Sequence, residues 1–138
     1  MTKVSIEALS DIYKHLSVQS MLDMKENFGE VSMAAMKRLN DECLTSFNVR
    51  VGDDAVCACF VYDAKDVYNL IVYTTTRFSQ HKEECKKAIQ DALKPLNEKE
   101  INSIIYGGAN TVLSVLYSVG FAPIKKVRSY KVLELVRR

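Results

Sequence analysis

The run Val67-Tyr68-Asn69-Leu70-Ile71-Val72-Tyr73 is apolar on both faces of the strand it would form. Such a strand needs a packed layer on each side, which places it in the middle of a sheet. After it the period changes: Phe78, Cys85, Ala88, Ile89, Ala92 and Leu93 are spaced as a helix that stops at Pro95. A second strand pattern follows over residues 101–106. Two strands joined through a helix require a crossover connection, so these two are expected to lie parallel.

Upstream, Phe47, Val49 and Val51 alternate with polar residues, and Gly52-Asp53-Asp54 turns the chain into Val56-Cys57-Ala58-Cys59-Phe60-Val61-Tyr62, an antiparallel hairpin. Downstream, Gly107-Gly108 is a turn, Asn110 or Thr111 caps a helix through Val112, Leu113, Val115, Leu116 and Val119, and Gly120-Phe121 ends it. The alternating tail from Ile124 to Leu135 predicts one or two closing strands. The expected fold class is therefore α/β, a mixed, mostly antiparallel sheet with a parallel central pair and helices on both faces.

Residues 1–42 read as a helical first half and residues 43–138 as the strand and helix half of one domain, 1–138, a length suited to a single core. A short strand is expected over residues 3–7. One long helix is expected from the cap Ser10 to the stop at Gly29, and another from Glu30 to Asp41. No stretch is long and apolar enough for a membrane span, and the first residues lack a signal core, so the expected location is cytoplasmic. Nineteen basic against 17 acidic residues leave no field that would hold nucleic acid or an anionic membrane. Cys43, Cys57, Cys59 and Cys85 read as reduced, mostly buried thiols.

The element order, and Asn110-Thr111-Val112-Leu113-Ser114-Val115-Leu116-Tyr117-Ser118-Val119-Gly120-Phe121 above all, resembles the GNAT acyltransferase superfamily, whose last helix often runs from Asn through Leu-Tyr to Gly-Phe. Two residues separate Tyr117 from Gly120 where the family pattern usually has three. The resemblance implies acetyl-CoA as cofactor if the chain is active, and Tyr117 as the acid that protonates the departing thiolate. It also implies a glycine-rich loop whose amides cradle a diphosphate. Here the corresponding stretch, residues 74–84, holds no glycine and places Glu83 and Glu84 at the helix start, where they oppose an anion. Arg77, Lys82 and His81 pull the other way, and Arg77, Lys82 and Asn110 are the cofactor-binding candidates. Small proteins of short-tailed bacteriophages associated with virion assembly resemble this pattern as well. With the glycine loop missing, the expectation is a GNAT-like protein with no cofactor, located in the host cytoplasm or the virion and acting through protein partners. An acyl-CoA N-acyltransferase and a host-protein-binding inhibitor are the alternatives, and the resemblance admits a homodimer.

Each candidate also has a plainer reading. Tyr117 fits a core tyrosine with its hydroxyl at the surface, Asn110 an N-cap, and His81 a solvated side chain. Cys57 and Cys59 share a strand face, but no other ligands stand at metal spacing, so no metal is expected. Met21 with Met24 and Met33 with Met36 read as a packed layer. Lys125, Lys126, Arg128, Lys131, Arg137 and Arg138 form a basic tail without the stacking aromatics of a nucleic-acid site.

Overall fold

The structure is a computed structural model and describes residues 3–107, 110–127 and 129–136. Three helices come first: α1 (Ile6–Lys14), α2 (Val18–Phe28) and α3 (Met33–Glu42). Then follow β1 (Thr45–Val51), β2 (Asp54–Asp63), β3 (Val67–Thr74), a 3-10 turn (Phe78–Gln80), α4 (Lys82–Leu93), β4 (Glu100–Tyr106), α5 (Asn110–Val119), β5 (Phe121–Lys126) and β6 (Tyr130–Leu135). The strands form one sheet in the order β1-β2-β3-β4-β6-β5, antiparallel except for the β3–β4 pair. The mixed sheet with its parallel central pair is as the sequence predicts, and the tail supplies two strands.

Helices cover both faces. On one, α4 and α5 bury Cys85, Ile89, Leu93, Leu113 and Leu116 against Cys57, Cys59, Leu70, Ile101 and Leu133. On the other, α1 to α3 bury Leu9, Ile12, Met24, Met36 and Leu39 against Phe60 and Tyr73, whose rings meet edge to face at 6.1 Å. All four cysteines are free and buried, and Cys57 Sγ lies 3.7 Å from Cys85 Sγ. Of the methionines singled out, Met24 and Met36 are fully buried, whereas Met21 is exposed.

Three expectations for the first half need correction, and serines explain all of them. Residues 3–7 do not form a strand. Ser5 caps α1 by accepting from the Ala8 amide, so Ile6 is already helical. The Val4 backbone is instead tied to side chains, its amide donating to Ser46 Oγ at 2.8 Å and its carbonyl accepting from Asn40 Nδ2 at 2.9 Å. The helix expected from Ser10 to Gly29 is two helices, because Ser17 caps α2 by accepting from Ser20 N. Gly29, at φ +73°, ends it as expected. Ser32 caps α3, which starts at Met33 and not at Glu30.

In the second half, the helix expected from Ser79 begins at Lys82, after the 3-10 turn. Asn110 is the first residue of α5, and Gly120, at φ +124°, donates its amide to the carbonyls of Leu116 and Tyr117 as the helix stops. Of the expected Gly107-Gly108 turn, Gly108 lies outside the described residues, as do Arg128, Arg137 and Arg138 of the basic tail. No helix among the described residues is long and apolar enough to cross a membrane.

Candidate functional site: a gap between the parallel strands

The β3–β4 ladder is short. Val67 to Leu70 pair with Glu100 to Ser103, and Ser103 Oγ closes the ladder by donating to the Leu70 carbonyl at 2.8 Å. Beyond that point each strand follows its other neighbour. β3 stays with β2 as far as Thr74, while β4 pairs with β6 through Tyr106. The Thr75 amide donates to the Val56 carbonyl, and antiparallel alternation from that bond turns the Val72 amide and carbonyl toward the gap.

The start of α2 bridges the opening. Ser20 Oγ accepts from the Thr74 amide at 2.6 Å, and Ser17 Oγ lies 2.8 Å from Thr74 Oγ1. On the opposite side Gln19 Nε2 donates to the Tyr106 carbonyl at 3.1 Å and to Asp23 Oδ1 at 2.9 Å. Gly107 makes room for this arrangement. It sits at φ +61°, and a Cβ there would come within 3.2 Å of Gln19 Nε2.

Two cavities open on the gap. The α2-side cleft holds about 40 Å³ and is lined by Asp23, Asn27, Asn69, Tyr73, Ile104 and Tyr106, among others. The other, about 390 Å³, opens between the 3-10 turn and the start of α5 and is lined by Thr75, Thr76, Phe78, Ser79, Asn110 and Thr111. Gln19, Thr74 and Val112 line both, so the two cavities share a wall at the gap.

The narrow cleft contains polar groups that its surroundings do not fully satisfy. Asp23 is partly buried, and desolvation pushes its carboxyl up to about 6, with the Gln19 hydrogen bond working against that shift and the charge of Glu26 adding to it. Burial likewise raises the phenols of Tyr73 and Tyr106. Asn69 and Asn102 are register partners across the parallel pair, and the Oδ1 atom of each is buried without a hydrogen bond.

The segment after β3 is the opposite case. Six of the seven amides from Thr75 to His81 are already used: Thr75 on Val56 O, Thr76 on His15 O, Arg77 on Thr75 Oγ1, Phe78 on Thr75 O, Gln80 on Arg77 O and His81 on Phe78 O. Its cationic side chains are also engaged. Arg77 faces Asp54 at 3.8 Å, and His81 sits 3.1 Å from both Asp54 and Glu84. The Asp54 hydrogen bond, then Glu84, raises the His81 pKa against desolvation. Residues 75–81 therefore offer a diphosphate little backbone, and what remains is the start of α4 at Lys82, which has no side-chain cap and carries Glu83 and Glu84 in its first turn.

The predicted residues are therefore dispersed. Asn110 lines the wide mouth, Arg77 is paired with Asp54 beside it, and Lys82 is exposed at the start of α4. Tyr117 is 42% exposed in an outer groove with Ser114, Ser118 and Lys131, which Asn110 also lines. The mouth itself is lined by Asn110 and not by Tyr117. No group of three or more His, Cys, Asp or Glu residues able to hold a metal occurs among the described residues. Sequence reasoning missed Gln19, Asp23, Asn69 and Asn102. Their signal was a polar residue at the same place in each of two apolar strands, and an i, i+4 Gln–Asp pair on α2.

No family model and no curated protein matches the chain. Solved structures do. The PaiA N-acetyltransferase from Thermoplasma acidophilum, determined in complex with coenzyme A, superposes with a TM-score of 0.71 at 12% identity, over 99% of this chain and 97% of that one. The ribosomal-protein-S18-alanine N-acetyltransferase from Escherichia coli gives 0.66 at 8% identity, over 99% and 94%. A GNAT-family acetyltransferase from Bacillus anthracis gives 0.64 at 10%, over 97% and 92%. The fold is that of the GNAT acetyltransferases. The names of these neighbours lend no support to a virion-assembly role.

Proposed function

We propose that this chain is an acyl-CoA-dependent N-acyltransferase in which a thioester and an amine meet across the sheet at the β3–β4 gap. The observation that supports this reading is the pair of cavities sharing Gln19, Thr74 and Val112, one wide and open, the other narrow and polar. A purely structural use of the fold has no need of a channel lined by a half-buried carboxylate and an orphaned amide oxygen, since both cost stability. Acetyl-CoA would supply an acyl group already activated as a thioester. The chain's own part is to hold and polarise it: the Val72 amide points into the gap, where a fixed donor acts on a carbonyl oxygen as charge develops. Asn110 and Thr111 form the wall of the wide mouth. With most amides of residues 75–81 used and Arg77 beside Asp54, a diphosphate would have to draw on Lys82, on Arg77 released from Asp54 and on the start of α4, so affinity is expected to be weak.

A second reading, a GNAT-fold protein working through protein contacts without the cofactor, is favoured by the six of seven amides already used between Thr75 and His81. Calorimetry with acetyl-CoA separates the two. Measurable heat together with acetyl transfer to an amine supports the enzyme; neither heat nor a thermal shift supports the interaction protein.

A further inference from the structure

The narrow cleft is selective in its chemistry. Among its lining residues Asp23 alone carries a charge, and no lysine, arginine or histidine is present. Asn69 lines the same cleft, and its Oδ1 is a buried acceptor with no donor. The Asp23 carboxylate accepts from Gln19 Nε2, which is shared with the Tyr106 carbonyl, while Asn27 Nδ2 donates to the Asp23 backbone carbonyl and not to the carboxylate. A cleft with acceptors to spare suits a group with several N–H donors and a positive charge, and an ammonium has three. The cleft is the narrower of the two cavities, about 40 Å³ against about 390 Å³, and suits a small head group better than the body of a ligand.

The body of the ligand must then lie outside, where the sheet is uncovered. The core built by α1 to α3 takes its strand residues from β2 and β3. Next to it, Ile104 and Tyr106 of β4 face the same side and pair in register with Val132 and Tyr130 of β6. These four side chains are only partly buried, and the two tyrosine rings lie 5.8 Å apart, tilted by 57°. Flat aromatic surface next to a carboxylate complements an amine carried on an apolar ring.

We infer that Asp23 is the amine-recognising group of this protein, and that the acceptor is a primary ammonium on an aromatic body seated over Tyr106 and Tyr130. This rests on the acyltransferase reading and names its acceptor class. Asp23 is a recognition group and not a strong base. An alkyl ammonium holds its proton far more tightly than this carboxyl does, so the resting contact is an ion pair. The groups around Asp23 are Glu26 on its own helix and the phenols of Tyr73 and Tyr106 on the strands, none of them cationic at neutral pH.

The test is binding of phenethylamine to the full chain by NMR titration, with butylamine and a short peptide bearing N-terminal phenylalanine as companions. Signals from the α2–β4 cleft should move. Asp23→Asn, which keeps an acceptor for Gln19, should weaken binding at least ~10-fold, whereas Glu26→Gln should change it by less than ~2-fold. Tyr130→Ala should weaken phenethylamine several-fold and leave butylamine unchanged. Raising the pH from about 5 to about 7.5 should tighten binding roughly tenfold in the wild type and not in Asp23→Asn. Preference between phenethylamine and the peptide tells whether the aromatic amine is a free metabolite or a chain terminus. No binding by the wild type, or equal binding by folded Asp23→Asn, overturns the inference. Acetyl transfer measured in parallel separates the two readings: amine binding without transfer sinks the enzyme and keeps the cleft assignment, and transfer indifferent to Asp23→Asn does the reverse.

Discussion

The two ends of the β3–β4 gap are built on opposite principles. At the end that faces the 3-10 turn, most backbone donors are already paired, and Arg77 and His81 are matched by Asp54 and Glu84. At the end that faces α2, a carboxylate is desolvated and the Asn69 amide oxygen is left without a partner. The first arrangement stabilises the fold and offers little to a ligand. The second costs stability and is ready to bind, which is the usual sign that a site is kept for use.

Substitutions that break a pairing or crowd the backbone should therefore cost stability, and one that removes an orphaned acceptor should add it. The largest loss is expected for Thr75→Val. Its buried hydroxyl lies 2.5 Å from the Ala55 carbonyl and 3.0 Å from the Val56 carbonyl, donating to one of them, and accepts from the Arg77 amide at 3.2 Å; leaving these unpaired should cost about 2 kcal/mol in urea unfolding. Gly107→Ala comes next, at about 1–2 kcal/mol, since its φ of +61° disfavours a side chain and the new Cβ would press on Gln19; a weaker Asp23 site should accompany it. Asn69→Leu should instead stabilise, by roughly 1 kcal/mol, because it removes an orphaned acceptor from the cleft, while reducing amine binding.

Smaller effects follow from titration. The Asp23 carboxyl moves from its ordinary 3.8 to about 6 on folding, so the native state holds that proton more tightly than the unfolded chain does. The Asp23 contribution to stability is fully present below the ordinary value and is lost as pH rises toward and through about 6, by about 1 kcal/mol once solvent screening of the partly exposed group is allowed for; Asp23→Asn should remove that component of the pH dependence. The smallest effect belongs to His81. Its folded pKa is raised, so its pairing with Asp54 and Glu84 contributes below the ordinary 6.5 and is lost as pH rises through the folded value. His81→Gln should lower the thermal midpoint slightly at acid pH and leave it unchanged at alkaline pH.

The sheet was legible in the sequence because its strands differ in period from its helices and because a crossover fixes the direction of the parallel pair. The first half was harder to read. A serine inside an apolar helical stripe can cap a new helix or ride on an old one, and at Ser17 the choice is settled by a distant partner, the Thr74 carbonyl that accepts its amide at 2.9 Å. The candidate site was legible only at the end that faces the 3-10 turn, where a loop that lacks glycine is a local fact. The α2 end joins Gln19 and Asp23 to Asn69 and Tyr106, residues whose proximity exists only after α2 has docked across the opening.

The sheet's last strand, β5, lies at an outer edge and carries Pro123, an irregularity between Pro123 and Lys125, and the exposed lysines 125 and 126. A ring without an N–H, a local kink and a row of like charges make a poor template for a further strand. That border disfavours two copies of this chain running their sheets together, and works there against the growth of ribbons in a crowded solution of the protein.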